Sequence, residues 1–145
     1  MKLAKTLMEN CWNFLNTITE YKQVDDNTTI IYVPLLDHSN DYIEVHMTEL
    51  DNGRILITDG ASVTDNLKLV DKTIDVSDSN LSVILNGFLV KYEGEMLTKM
   101  TNKTNFPTDL VFLIQAIMCV DTYCNYKDTP QKEKKLSKND QNELG

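Results

Sequence analysis

Arginine is nearly missing from this chain: one residue, Arg54, stands against 13 lysines. A surface with a single guanidinium has little capacity for bidentate recognition of phosphate or carboxylate. Positive charge is scarce altogether, with 14 basic and 22 acidic side chains and a formal charge of -8. That balance excludes binding nucleic acid by release of its counterions. Cysteine is also sparse: Cys11, Cys119 and Cys124 are odd in number and form no Cys-x-x-Cys pair. Neither a disulfide framework nor a closed zinc site fits, and Cys11 and Cys119 are expected as reduced, small core residues. Long apolar runs are absent as well. The longest, Leu110 to Val120, is broken by Gln115 and falls short of the roughly 18 residues of a membrane span. At the N-terminus Glu9, Asn10 and Asn13 interrupt the apolar core a signal peptide needs, so a cytoplasmic location is expected.

With 145 residues, 41% apolar and 25% charged, the chain has the composition of one ordinary globular domain. Asn and Thr number 14 and 15, a bias associated with AT-rich coding sequence of the kind found in low-GC bacteria and their phages. From Lys127 onward only Leu136 and Leu144 are large and apolar, too few to offset the entropy of ordering. The expected organisation is therefore a domain over 1–126 and a disordered charged tail over 127–145. The domain carries a net charge of -9 and the tail +1.

Leu3, Leu7, Met8, Cys11, Trp12, Leu15 and Ile18 recur at three- and four-residue steps, which predicts a helix over 2–19. Thr28 to Leu36 is a β-branched and apolar run and predicts a strand. Residues 42–50 alternate, with Tyr42, Glu44, His46 and Thr48 on one side and Ile43, Val45 and Met47 on the other. Asn52-Gly53 can supply the two positive-φ positions of a hairpin turn into a strand over 54–58. Ser62 is the expected cap of a short helix to Val70, with Asp65 completing a capping box. Ser77 or Ser79 is the expected cap of a helix over 80–91, and 95–100 reads as a short strand after a break at Tyr92 to Gly94. Pro107 suits the first turn of a final helix to Tyr126. These elements predict an α+β fold: an antiparallel sheet covered on one face by the N-terminal and C-terminal helices. The final helix is apolar around nearly its whole circumference, so it is read either as the central core element or as a dimer face presenting Leu113 and Ile117.

No motif in the chain carries a reaction. Asp59-Gly60-Ala61-Ser62 lacks the glycine spacing and lysine of a nucleotide-binding loop, and no nucleophile has a partner in sequence. Asp41, Glu44, His46 and Asp59 could be assembled into a divalent-metal site of a hydrolase acting on nucleic acid or nucleotide. Against it, no lysine lies between Lys22 and Arg54 to stabilise developing charge. Trp12 and the six tyrosines would form a stacking platform only with a basic groove, which an acidic chain does not offer. The charge points the other way. Asp25, Asp26, Asp37, Asp41, Glu44, Glu49, Asp51 and Asp59 place eight carboxylates within 35 residues, opposed only by Arg54. Of these, Asp37, Asp41, Glu44, Glu49, Asp51 and Asp59 are the candidate binding face for a protein partner with a basic surface. Neither a cofactor nor direct contact with nucleic acid or membrane is expected.

Pro34 after an apolar strand, Asp41, Ile43 and Val45 in an alternating strand, then Ile57-Thr58-Asp59-Gly60 and Leu67 form a pattern over roughly residues 1–90. It resembles a family of uncharacterised bacterial and phage domains, from which the sequence departs in having Ala61 directly after a single Asp-Gly. The resemblance implies an α+β fold and a mobile-element setting. Taken with the acidic hairpin, it leads to the expectation of a small interaction protein. That protein would bind and inhibit a host defence or nucleic-acid-handling protein, as an anti-CRISPR or other DNA mimic does.

Overall fold

A computed structural model describes residues 1–127 of the chain; of the tail expected over 127–145, Lys127 is described and joins the end of the last helix through its N–H on the Tyr123 carbonyl, and the rest lies outside the described residues. Six strands form one antiparallel sheet: β1 (Glu20–Gln23), β2 (Thr28–Leu36), β3 (Tyr42–Glu49), β4 (Arg54–Thr58), β5 (Lys91–Glu93) and β6 (Met96–Asn102). Their order is β1-β2-β3-β4-β6-β5. Among the described residues four α-helices accompany them: α1 (Lys2–Ile18), α2 (Ser62–Lys68), α3 (Ser79–Gly87) and α4 (Phe106–Tyr126). The α+β expectation holds, and so do the three strands around the hairpin, within a residue.

The period-two alternation divides the sheet into two faces. Ile31, Ile43, Val45, Ile55, Ile57 and Leu97 are buried on one of them, against Val63 and Leu67 of α2, Leu81 of α3 and the inner face of α4. Tyr32 pairs with Glu44, and His46 with Thr58, on the opposite face. Pro34 is tolerated because β1 ends its pairing at Tyr32 and the β2–β3 register shifts between Val33 and Leu36, so no ladder bond asks for its missing N–H. Asn52 and Gly53 do hold the positive φ values of the hairpin turn, 63° and 73°.

Several sequence expectations are corrected. α1 has no buried residue and does not cover the sheet. Leu113 and Ile117 are not a dimer face: they are fully enclosed in the core, with Ala116, Val120 and Cys124 on the same side of α4. Cys11 and Cys119 are exposed, and the buried cysteine is Cys124. The cap before α2 is Ala61, in a left-handed conformation, in place of Ser62. For α3 the cap is Asp78, whose carboxylate accepts from the Asn80 and Leu81 N–H groups, and the helix ends at Gly87, short of residue 91. The expected break at Tyr92 holds β5, a three-residue edge strand too short to show a period. β1 has four residues, all exposed, which is why its sequence carried no alternation.

α4 is long and apolar enough by composition to cross a membrane. In this fold it supplies six residues to the domain interior, among them the charged Asp121, which is the pattern of a core helix.

Candidate acidic cleft

β4 stops at Thr58 opposite His46, so among the described residues Tyr42 to Val45 of β3 have a strand neighbour only on the β2 side. The chain turns there through Asp59 and Gly60 into α2, and α4 passes behind. A cleft of about 410 Å³ opens between the bare edge of β3 and these two helices. Six carboxylates line it: Asp37, Asp41, Glu44, Asp59, Asp65 and Asp121. Among the described residues no lysine, arginine or histidine joins them, and the remaining lining includes the rings of Tyr32 and Tyr42.

The six differ in what they are free to do. Asp59 is 1% exposed. Its Oδ1 accepts from the N–H groups of Ala61 (3.0 Å) and Leu97 (3.0 Å), and its Oδ2 from that of Val63 (3.1 Å). It thus caps α2, ties it to β6 and takes the role expected of Ser62. Burial pushes its pKa above the usual carboxylate value, against those three donors. Asp121 is also buried, which raises its pKa. It accepts from the His38 N–H at 2.7 Å and from Asn125 Nδ2 at 3.0 Å, and so fastens the β2–β3 loop to α4. The edge contact of the His38 and Tyr126 rings, 5.1 Å between centroids, reinforces the same joint. Asp37 folds that loop by accepting from the N–H groups of Ser39 (2.8 Å) and Asp41 (3.0 Å).

Asp41, Glu44 and Asp65 accept from no backbone N–H group among the described residues. Asp41 is exposed and Glu44 half-buried, and neither is engaged by a lysine or arginine among the described residues. Glu44 Oε2 lies 3.3 Å from His46 Nε2 on the same sheet face. His46 in turn covers Gly60, where an added Cβ would come within 2.3 Å of its ring.

The structure therefore brings together Asp37, Asp41, Glu44 and Asp59 of the candidate binding face and leaves Glu49 and Asp51 at the far, turn end of the hairpin. Asp59 belongs to the scaffold of the cleft. Asp65 and Asp121 were missed by sequence reasoning. Asp65 was assigned to a capping box, and Asp121 sits inside an apolar helix whose sequence gives no sign that a loop 83 residues away needs an acceptor. For a metal, no three of the His, Cys, Asp and Glu side chains are grouped to hold one among the described residues. The hydrolase arrangement of Asp41, Glu44, His46 and Asp59 is not assembled. His46 leans on Gly60, and both oxygens of Asp59 are spent on backbone N–H groups.

Fold and cleft together define a two-layer α+β domain with a carboxylate-lined recess at one end of its sheet. Residues 33–120 match the family described as Domain of unknown function DUF1828, more than half of the chain. The chain belongs to that family. The match starts later and ends later than the resemblance over residues 1–90, so α1, β1 and most of β2 lie outside it while α3, β6 and most of α4 lie within. No curated protein and no solved structure matches the chain.

Proposed function

We propose that the domain is a protein-interaction module that receives a basic, extended segment of a partner protein in the acidic cleft. The observation that supports this reading is the absence of a cation, among the described residues, from the lining of a recess with six carboxylates, beside a strand edge without a neighbour. Lysine or arginine side chains would complement Asp41, Glu44 and Asp65, and the two tyrosine rings would flank their aliphatic stems. An extended backbone can pair with the open edge of β3, the mode in which main-chain bonds give affinity and side-chain pockets give specificity. Following the family resemblance, the concrete form is an inhibitor of phage or mobile-element origin. It would act in the bacterial cytoplasm and occupy the basic cleft of a host defence or nucleic-acid-handling protein.

The test is calorimetric titration with an oligolysine peptide. Asp41→Asn combined with Glu44→Gln is expected to weaken binding about tenfold or more, roughly 1.4 kcal/mol. Glu49→Gln with Asp51→Asn, at the far end of the hairpin, should leave it within about twofold. High salt should weaken the wild type. Equal losses from both pairs would make the interaction a property of net charge and sink the cleft as its site.

A further inference from the structure

Outside the family domain, α1 presents an apolar half-cylinder to solvent. Ala4, Met8, Cys11, Leu15 and Ile18 follow one another at alternating four- and three-residue steps, the seam of a coiled coil. Leu3, Leu7 and Phe14 widen the seam on one flank and Trp12 on the other. The opposite side is Lys, Thr, Glu and Asn throughout. None of the nine apolar side chains is buried; Leu3, Trp12 and Phe14 are 70, 61 and 61% exposed. Their combined surface is on the order of 500–600 Å², at the upper end of the largest apolar patch on an ordinary monomer. Two such patches face to face bury about 1,000 Å², the lower bound of a specific interface.

We propose that α1 is a homodimerisation element that pairs antiparallel with α1 of a second copy about a two-fold axis near Cys11. Charge sets the direction. α1 has no acidic residue in its first turn and no basic residue in its last. Lys2 and Lys5 therefore lie at the positive end of their own helix dipole, where they are unfavourable. An antiparallel partner brings them to the negative end of the other helix, beside its last turn and Glu20. A parallel pair would set lysine against lysine. Apolar matching gives the register, since centring the axis on Cys11 places Ala4 opposite Ile18, Leu7 opposite Leu15 and Met8 opposite Phe14. A lipid surface is the poorer occupant. The polar side of α1 has two lysines and Glu9 among asparagines and threonines, and residues 19–126 behind it, with 7 basic and 17 acidic side chains, carry -10, which anionic headgroups repel.

Sedimentation of the full chain is expected to give twice the 16.6 kDa chain mass at micromolar concentration. Leu7→Glu, in a residue that touches no core, should return the monomer while circular dichroism keeps the domain's spectrum. Lys2→Glu should weaken the dimer severalfold, and Lys2→Glu with Glu20→Lys should restore it. Diamide, which takes up the two hydrogens of a thiol pair, should cross-link the wild type and Cys119→Ser but not Cys11→Ser. A monomer at every concentration overturns the proposal, as does a dimer that survives Leu7→Glu or cross-links through Cys119. Blue-shifted Trp12 fluorescence on anionic vesicles, from a chain monomeric without them, assigns the face to lipid and overturns it too.

Discussion

α1 and α4 begin as equals in the sequence: each has an apolar surface in want of cover, and each was expected to cover the same sheet. Leu113 of α4 is 0% exposed and Leu7 of α1 is 56% exposed. The cause lies in where each helix joins the sheet. α4 follows β6, an inner strand, through the short turn at Lys103–Asn105, so the returning chain crosses the sheet and lands on its apolar face. α1 precedes β1, an edge strand of four exposed residues, with only Thr19 between them. A helix entering at an edge leaves the layer that three other helices already fill. Amphipathicity states that a helix has a face to bury; the topology of its neighbours decides whether the same chain buries it.

The largest expected contrast follows from this difference. Leu113→Ala removes a fully enclosed side chain from the helix layer and should cost about 3 kcal/mol in chemical denaturation. Leu7→Ala, measured at concentrations where the chain is monomeric, should stay within about 0.5 kcal/mol. Comparable losses at the two positions would mean that α1 packs on the domain after all, and the comparison would break.

Joints sharpen the contrast on a smaller scale. Where α1 meets β1 nothing is enclosed, whereas the joint of β4 with α2 is closed by His46 lying on Gly60 at φ +63°. Gly60→Ala combines left-handed strain with a clash against the His46 ring and should destabilise by about 2 kcal/mol. Gly94→Ala, also at positive φ but with nothing near its Cβ, should cost about 1 kcal/mol, the strain alone. His46→Ala placed in the Gly60→Ala background should recover part of the difference. No recovery would assign the whole cost to the backbone.

What the sequence disclosed and what it hid divide along the same line of local against distant. Tyr42 to Thr58 were legible because alternation and an Asn-Gly turn are local signals, and the positive φ of Asn52 and Gly53 confirms the turn. Ser62 was the natural cap by type, yet Asp59 took the role because its carboxylate could reach α2 and β6 together, a contact spanning 38 residues that no local pattern encodes. Four of the six cleft carboxylates were visible as acidic residues crowded on or beside the hairpin. Asp65 and Asp121 were not, since what makes them part of it is the truncation of β4 at Thr58 and the passage of α4 behind, both tertiary facts. Lys99 was equally opaque. It lies in the interior as the ligand of the Phe88 and Leu89 carbonyls at the end of α3, a cation on a helix C-terminus read from sequence only as a strand residue.

The smallest effect expected concerns how α4 is held at its far end, where α1 has no counterpart. Asp78 caps α3 and accepts from the Tyr123 hydroxyl (2.7 Å) and from Lys127 Nζ (3.2 Å), which fastens the last turn of α4 to the first of α3. The Tyr123 hydrogen bond above all, with Lys127 and the backbone donors, lowers the Asp78 pKa to about 2 from an ordinary 3.8. A carboxylate whose folded pKa is depressed contributes stability that is complete above its unfolded value and fades as pH falls through the folded one. The clamp should therefore be whole above about pH 4 and released toward pH 2. Asp59 and Asp121, whose pKa values burial raises, act with the opposite sign and favour the folded state on acidification. The clamp is isolated by comparing wild type with Asp78→Asn, in which every other carboxylate titrates alike. Melting temperatures of the two should differ at pH 5 and converge as pH approaches 2, and amide exchange should quicken over Tyr123–Tyr126 while that of α1 stays unchanged. A constant difference across the range would show that Asp78 acts on α3 as a shape and not through its charge.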